Sequence, residues 1–233
     1  MPRDATDTRD RLLRAGARLF AERGVDAART RDIVALAGQG NDSAITYHFG
    51  SRRGLLEAIL RAGVARMEPA RAAALPGLDP SDPRGVVAAV VEPLAAELRT
   101  AEGRDFLRIV AQVAGRSGVR EHSLPALIQD TALAGQLAVL ADACRAVLPE
   151  PVALERVALF IAFLTAALAD RTVRVGPDGE PDPARPGRTL LGHDDFVHDL
   201  VEGLTAALTA PAGLPKDPGP HRVETSPRGG AVR

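Results

Sequence analysis

The chain has 233 residues, 45% of them hydrophobic, and one cysteine, Cys144, so it can bury its own core and cannot form an intramolecular disulfide. Its net charge of −1 rules out bulk electrostatics as a signpost to nucleic acid. The distribution of charge says more: residues 1–61 carry 11 arginines against 8 acids, whereas the remainder is net −4. No apolar run is expected to reach the roughly 18 to 20 residues of a bilayer span, and the start MPRDATDTRDR lacks an apolar signal core, so a cytoplasmic location is expected.

Apolar residues recur with helical period nearly throughout, which predicts an all-α fold. The first helix is expected from about Thr6 to Arg23, with Leu12, Leu13, Ala17, Leu19 and Phe20 inward and Gly24 as its left-handed C-terminal cap. Thr30 is expected to cap a short second helix ending near Gly38. Asn41 or Asp42 is expected to cap a third, through about Tyr47. Two short helices joined by a glycine-containing turn, behind a longer supporting helix, form the pattern of a helix-turn-helix. Ser51 is expected to cap a fourth helix that Pro69 kinks or ends.

Residues 76–85, PGLDPSDPRG, read as a linker. Beyond it the periodicity predicts helices over about Val86–Thr100, kinked at Pro93, and over Arg104–Gly115, Leu124–Leu148 and Val152–Val173. Cys144 is expected to be a packing thiol. Residues 176–193 are too polar and interrupted for an element and read as a loop, after which Asp194 or Asp195 is expected to cap a last helix with Phe196, Leu200, Leu204 and Leu208 at every fourth position. The tail beyond Pro211 is rich in proline and glycine and is expected to be disordered.

The stretch GNDSAITYHFGSRRGL, residues 40–55, holds the chain's one tyrosine, beside a histidine and two arginines. No Ser, Asp or Cys partner stands at nucleophile spacing from Tyr47 and His48, and no glycine-rich phosphate loop follows a strand, so catalysis is not expected. A grip on DNA suits these residues better. A cation in the first turn of a helix opposes the macrodipole by about 0.3 to 1 kcal/mol. Yet Arg31 follows Thr30, and Arg52 and Arg53 follow Ser51. Phosphate oxygens at those helix starts would offset the cost; solvated surface arginines are the other reading. Asn41, Asp42, Ser43 and Thr46 are candidates for base edges, and Asp42 is either a reader of cytosine amino groups or simply the cap. Tyr47 and His48 are candidate phosphate donors. Asp194 and His198, four apart, could seed a metal site, but a carboxylate in the first turn beside an exposed histidine explains them equally well; no metal or cofactor is expected.

The run TRDRLLRAGARLFAERGVDAARTRDIVALAG, followed by AITYHFGSRRGLLEAIL, resembles the DNA-binding domain of the TetR family of bacterial transcriptional repressors. LFAERG at the end of the first helix, RDIVALAG in the second, YHF closing the third and Gly-Ser-Arg opening the fourth stand in the family's order. The turn before YHF is one residue longer than the usual pattern, and Thr46 stands where many members carry tyrosine. The resemblance implies a DNA-binding domain over residues 1–53, a helical effector-binding and dimerisation domain over 54–210 and a tail over 211–233. It also implies a homodimer on palindromic operator DNA, released by a small, largely apolar effector. Phe106, Ile109, Val110, Val113, Leu133, Leu137 and Phe163 are the expected ligand contacts. Ala158, Ala162, Ala166, Ala169, Leu200, Gly203, Leu204 and Ala207 are the expected dimer contacts. Two other readings remain: a DNA-binding regulator without a small ligand, and a helical binding protein that has lost DNA binding.

Overall fold

The computed structural model describes residues 2–114, 126–182 and 190–213. Within them the helical period becomes nine α-helices: α1 (Pro2–Arg23), α2 (Thr30–Leu36), α3 (Ser43–Phe49), α4 (Arg52–Ala74), α5 (Pro83–Ala96), α6 (Ala101–Ala114), α7 (Ala132–Arg145), α8 (Glu150–Thr172) and α9 (His193–Thr209). Short 3-10 turns at Leu75–Gly77 and Glu97–Arg99 lie between. The only β pairing among the described residues is an isolated bridge between Val175, just before the expected loop, and Pro181 within it.

Two apolar clusters organise these helices. The first joins Leu12, Phe20, Ile33, Ile45 and Leu55 from α1 to α4, with Ile109 reaching in from α6. The second is built by α4 to α9 around residues such as Val87, Phe106, Leu140, Leu168 and Leu204. The long α4 and α6 contribute to both, so they tie the small N-terminal head to the larger body. Cys144 is buried in the second cluster, and burial pushes its thiol above the ordinary range, as suits a packing residue.

Several local expectations change. Gly24 does take a left-handed conformation, at φ 95°, and its N–H bonds to Phe20 O. Thr30 is not a cap: the helix starts on it, and Arg29 occupies the cap position without a side-chain hydrogen bond. Neither Asp194 nor Asp195 caps α9; they lie in its first turn behind Gly192, where a carboxylate favours the macrodipole. Pro69 does not end α4, which continues to Ala74 with Met67 and Arg71 buried on either side of the proline. The helix expected over Leu124–Leu148 is shorter: Leu124 lies outside the described residues, Ala126–Asp130 form turns, and Thr131 is extended before α7. The tail from residue 214 onward is also outside them.

The expectation about apolar runs is corrected as well. Glu150–Thr172 is long and apolar enough, by length and composition, to cross a membrane. It reaches that composition because its inner stripe packs on α6, α7 and α9, while its outer face is also apolar, carrying Leu159 and Phe163.

Candidate nucleic-acid interface and effector cavity

The third helix is held from below and open above. Ile45, all but fully buried, pins α3 into the head, and Asn41 Oδ1 accepts the Ser43 N–H at 2.9 Å to fix its first turn. Asp42 therefore makes no side-chain cap, although it stands at the cap position. Asn41, Asp42, Ser43 and Thr46 are exposed, and Tyr47 is 81% exposed. The Tyr47 ring meets His48 edge to face at 4.9 Å, and the half-buried Phe49 beyond it carries the Arg9 guanidinium 5.2 Å above its ring. Short polar groups along one face of a thin helix, with a phenol at its end, form a surface that can enter a major groove.

Around this helix stand cations of different character. Arg31 is exposed at the start of α2, 3.5 Å from Asp32, whose other oxygen pairs with Arg23 at 2.6 Å. Arg53 has 87% of its side chain exposed and pairs with Glu57 at 2.9 Å. An exposed pair of this kind is weak, so a phosphate can compete for the guanidinium. Ser51 caps α4 by accepting the Gly54 N–H at 3.0 Å.

Arg52 departs from expectation. It is not turned toward solvent: its Nη2 donates to Val25 O and Ala28 O, its Nε donates to Ala28 O, and its guanidinium lies 5.0 Å from the Phe20 ring centroid. The cause is position on the helix. Arg52, Leu55, Ile59 and Gly63 share the inner stripe of α4, so Arg52 faces the head while Arg53 faces out. Arg52 thus clamps the head, and these bonds turn its guanidinium inward from the position expected of a phosphate contact.

Sequence reasoning missed the second clamp on the same turn. Gln112, on α6, accepts the Val25 N–H on Oε1 at 2.7 Å and donates Nε2 to Phe20 O at 3.2 Å. It satisfies the Val25 N–H left over where α1 ends and gives Phe20 O, which already accepts from the Gly24 N–H, a second donor. The turn between α1 and α2 is thus gripped from α4 by Arg52 and from α6 by Gln112.

The same two helices form walls of a cavity of about 820 Å³, closed further by α7 and α8. Phe106, Val110, Val113, Leu133 and Leu137 line it, joined by Leu60, Val64 and Phe160. The volume and apolar lining suit a drug-sized ligand. Two expected contacts do not belong there. Ile109 is fully buried toward the head, because α6 is sandwiched and buries both faces. Phe163 is 61% exposed on the outside of α8. At Gly63 an added Cβ would lie 2.2 Å from the Phe106 ring, so this ring occupies space that only a glycine leaves on α4.

The outer surface of the body also departs in part from expectation. Leu200 and Leu204 are buried within the subunit, because they lie on the stripe of α9 that packs on α5 and α8. Ala158 is half-buried and lines the cavity, and Ala169 is half-buried. Ala162, Ala166, Gly203 and Ala207 are exposed, beside Leu159 and Phe163, each 61% exposed. Among the described residues no group of three His, Cys, Asp or Glu side chains converges to hold a metal.

Residues 12–59 match the family described as "Bacterial regulatory proteins, tetR family". A comparison with curated protein sequences finds none that matches. Among solved structures, the fold resembles that of the TetR family transcriptional regulator PfmR from Thermus thermophilus, with a TM-score of 0.50 at 18% identity, covering 83% of this chain and 96% of that one. It also resembles a transcriptional regulator from Rhodococcus sp. Rha1, with a TM-score of 0.50 at 19% identity, covering 89% of this chain and 99% of that one.

Proposed function

We propose, from the match of residues 12–59 to the tetR family and from their helix-turn-helix, that this chain is a ligand-responsive transcriptional repressor of that family. In this reading it acts in the cytoplasm, binds palindromic operator DNA as a homodimer and releases it when a small, largely apolar effector enters the body. The observation that carries the reading is the sharing of α4 and α6: the helices that wall the cavity also grip the turn between α1 and α2.

DNA contact falls to two groups of residues. Asn41, Asp42, Ser43 and Thr46 face base edges, while Thr30, Arg31, Tyr47, His48, Ser51 and Arg53 surround them as phosphate contacts. The head spans about residues 1–53 and the effector and dimer domain about 54–210. A single short helix reads too few base pairs for useful specificity, and a two-fold dimer doubles the site. Its surface is the exposed apolar face of α8 at Leu159, Ala162, Phe163 and Ala166, continued on α9 by Gly203 and Ala207. Two large apolar side chains one turn apart on an otherwise folded helix mark a surface that gains by being covered.

Release follows from population shift. An effector that binds better when α4 and α6 are apart pulls the turn through Arg52 and Gln112 and changes the distance between reading heads; typical couplings are about 1 to 3 kcal/mol. The test is a salt-dependent gel shift of the full chain on its own promoter region, repeated with a panel of apolar metabolites. The expected result is binding that weakens with salt and is abolished by at least one compound. Absence of DNA binding at low salt would overturn the proposal, and binding that no compound relieves would leave a regulator without a small ligand.

A further inference from the structure

Arg71 lies in the cavity wall with 2% of its surface exposed. Its hydrogen bonds go to neutral atoms: Nη1 donates to Gln136 Oε1 at 2.6 Å, and Nη2 donates to Val90 O at 3.3 Å and to Met67 Sδ at 3.8 Å. No carboxylate among the described residues reaches ion-pair distance. Glu68, on the same helix, accepts the Ala132 N–H on Oε1 at 2.6 Å, and its charge acts on Arg71 only from farther away. Burial consequently lowers the Arg71 pKa to about 10, so the guanidinium stays charged at neutral pH in a site that does little to stabilise the charge.

The buried Arg171, outside the cavity, likewise donates to a backbone carbonyl, Leu191 O, and lies over the Phe196 ring, whereas two partly exposed arginines of the body are paired. Arg66 meets Glu97 at 2.5 Å and Glu102 at 2.8 Å, and Arg145 meets Asp142 and Glu150. A buried cation normally carries a carboxylate, and where it does not, an apolar side chain of similar volume would stabilise the fold at least as well. Three contacts leave part of a guanidinium's five N–H groups unused, and a guanidinium fork is suited to a carboxylate.

The shape of the cavity completes the argument. Arg53 and Arg71 both line it, so it follows α4 over ~27 Å at 1.5 Å per residue. Between them α4 contributes the apolar Leu56, Leu60, Val64 and Met67, with the exposed Glu57 and Arg61 partway along. On the basis of the effector reading above, we propose that the cavity selects an elongated, largely apolar molecule ending in one carboxylate, with that carboxylate held on Arg71.

The test is isothermal titration of the full chain with dodecanoate and with dodecanol, below the micelle concentration, on the unmodified protein and on Arg71→Met, Arg71→Lys and Arg61→Ala. The acid is expected to bind about 10- to 100-fold tighter than the alcohol, the range a charge-assisted hydrogen bond supplies. That preference should vanish in Arg71→Met and persist in Arg71→Lys and Arg61→Ala. Equal binding of acid and alcohol to the unmodified protein overturns the headgroup assignment and leaves the effector cavity standing, a result that needs no variant to fold. Loss of preference in Arg61→Ala but not in Arg71→Met moves the headgroup to Arg61, partway along the cavity, and overturns the assignment to Arg71. Binding of neither probe overturns the cavity reading and the headgroup with it, while DNA binding, read separately by gel shift, is unaffected.

Discussion

The head and the body are built from the same helical material and treat internal space in opposite ways. In the head, Leu12, Phe20, Ile33, Ile45 and Leu55 fill the interior almost completely. In the body, α4, α6, α7 and α8 stand apart around about 820 Å³. A close-packed core resists continuous deformation, whereas helices that bound a void can take two arrangements. On the proposed reading, a close-packed head rests on supports that have room to shift, which is the division a switch needs.

Truncation should expose this contrast most strongly. Ile45→Ala in the head is expected to cost about 2 to 5 kcal/mol in denaturant unfolding, as large-to-small core changes do. Leu133→Ala, on the cavity wall, should cost well under that, because the leucine already has no packing partner on one side. Equal losses would mean that the body is as full as the head.

The two neighbouring arginines sharpen the same comparison. Arg52→Ala removes charge-assisted hydrogen bonds to Val25 O and Ala28 O, and should destabilise the head by about 1.5 to 3 kcal/mol. Arg53→Ala should leave the melting temperature unchanged but weaken DNA binding and reduce the salt slope by about 1. Reversal of these two phenotypes would contradict the assignment of inner and outer roles.

How much of this the sequence disclosed depends on the helix face. The all-α fold, the left-handed Gly24 and the Ser51 cap follow from local chemistry, and all are present. The role of Arg52 was within reach, because it shares the stripe of Leu55 and Ile59; adjacency to Arg53 obscured a rotation of about 100° per residue. Phe163 likewise lies off the stripe of Phe160, Leu164 and Leu168, and an apolar residue type outweighed its position. Ile109 and Val110 are another matter. The polar stripe of α6 at Arg104, Asp105, Arg108 and Gln112 leaves both of them on the apolar remainder of the helix, so periodicity does not say which of them sees the cavity. For Leu200 and Leu204 the every-fourth pattern is real, but it marks a packed face without naming what packs on it. Gln112 gave no signal, since a glutamine in an amphipathic helix is ordinary until the chain end it caps is brought beside it.

Gln112→Leu should be milder than the head truncation, with a loss of about 1 to 3 kcal/mol for an orphaned backbone N–H at Val25. It should also reduce the effect of any releasing ligand on operator affinity, which a purely structural glutamine would not. The smallest expected effect lies far from the head. Burial, helped by Arg99 and Arg171 and opposed by Asp194 and Glu180, holds the His193 imidazole below its ordinary pKa. The folded protein keeps it neutral while the unfolded chain protonates it, so its contribution is full above about pH 6.5 and falls as the pH drops through that value. Unfolding followed against pH should show this slope, and His193→Leu should flatten it.

Selection of bound sites from random double-stranded DNA by the full-length protein tests the central claim most directly. The predicted result is an enriched palindrome with half-sites about 34 to 36 Å apart, or a multiple of that spacing, as the proposed dimer requires of its two reading helices. Enrichment of a single asymmetric site, or of no sequence, would contradict it.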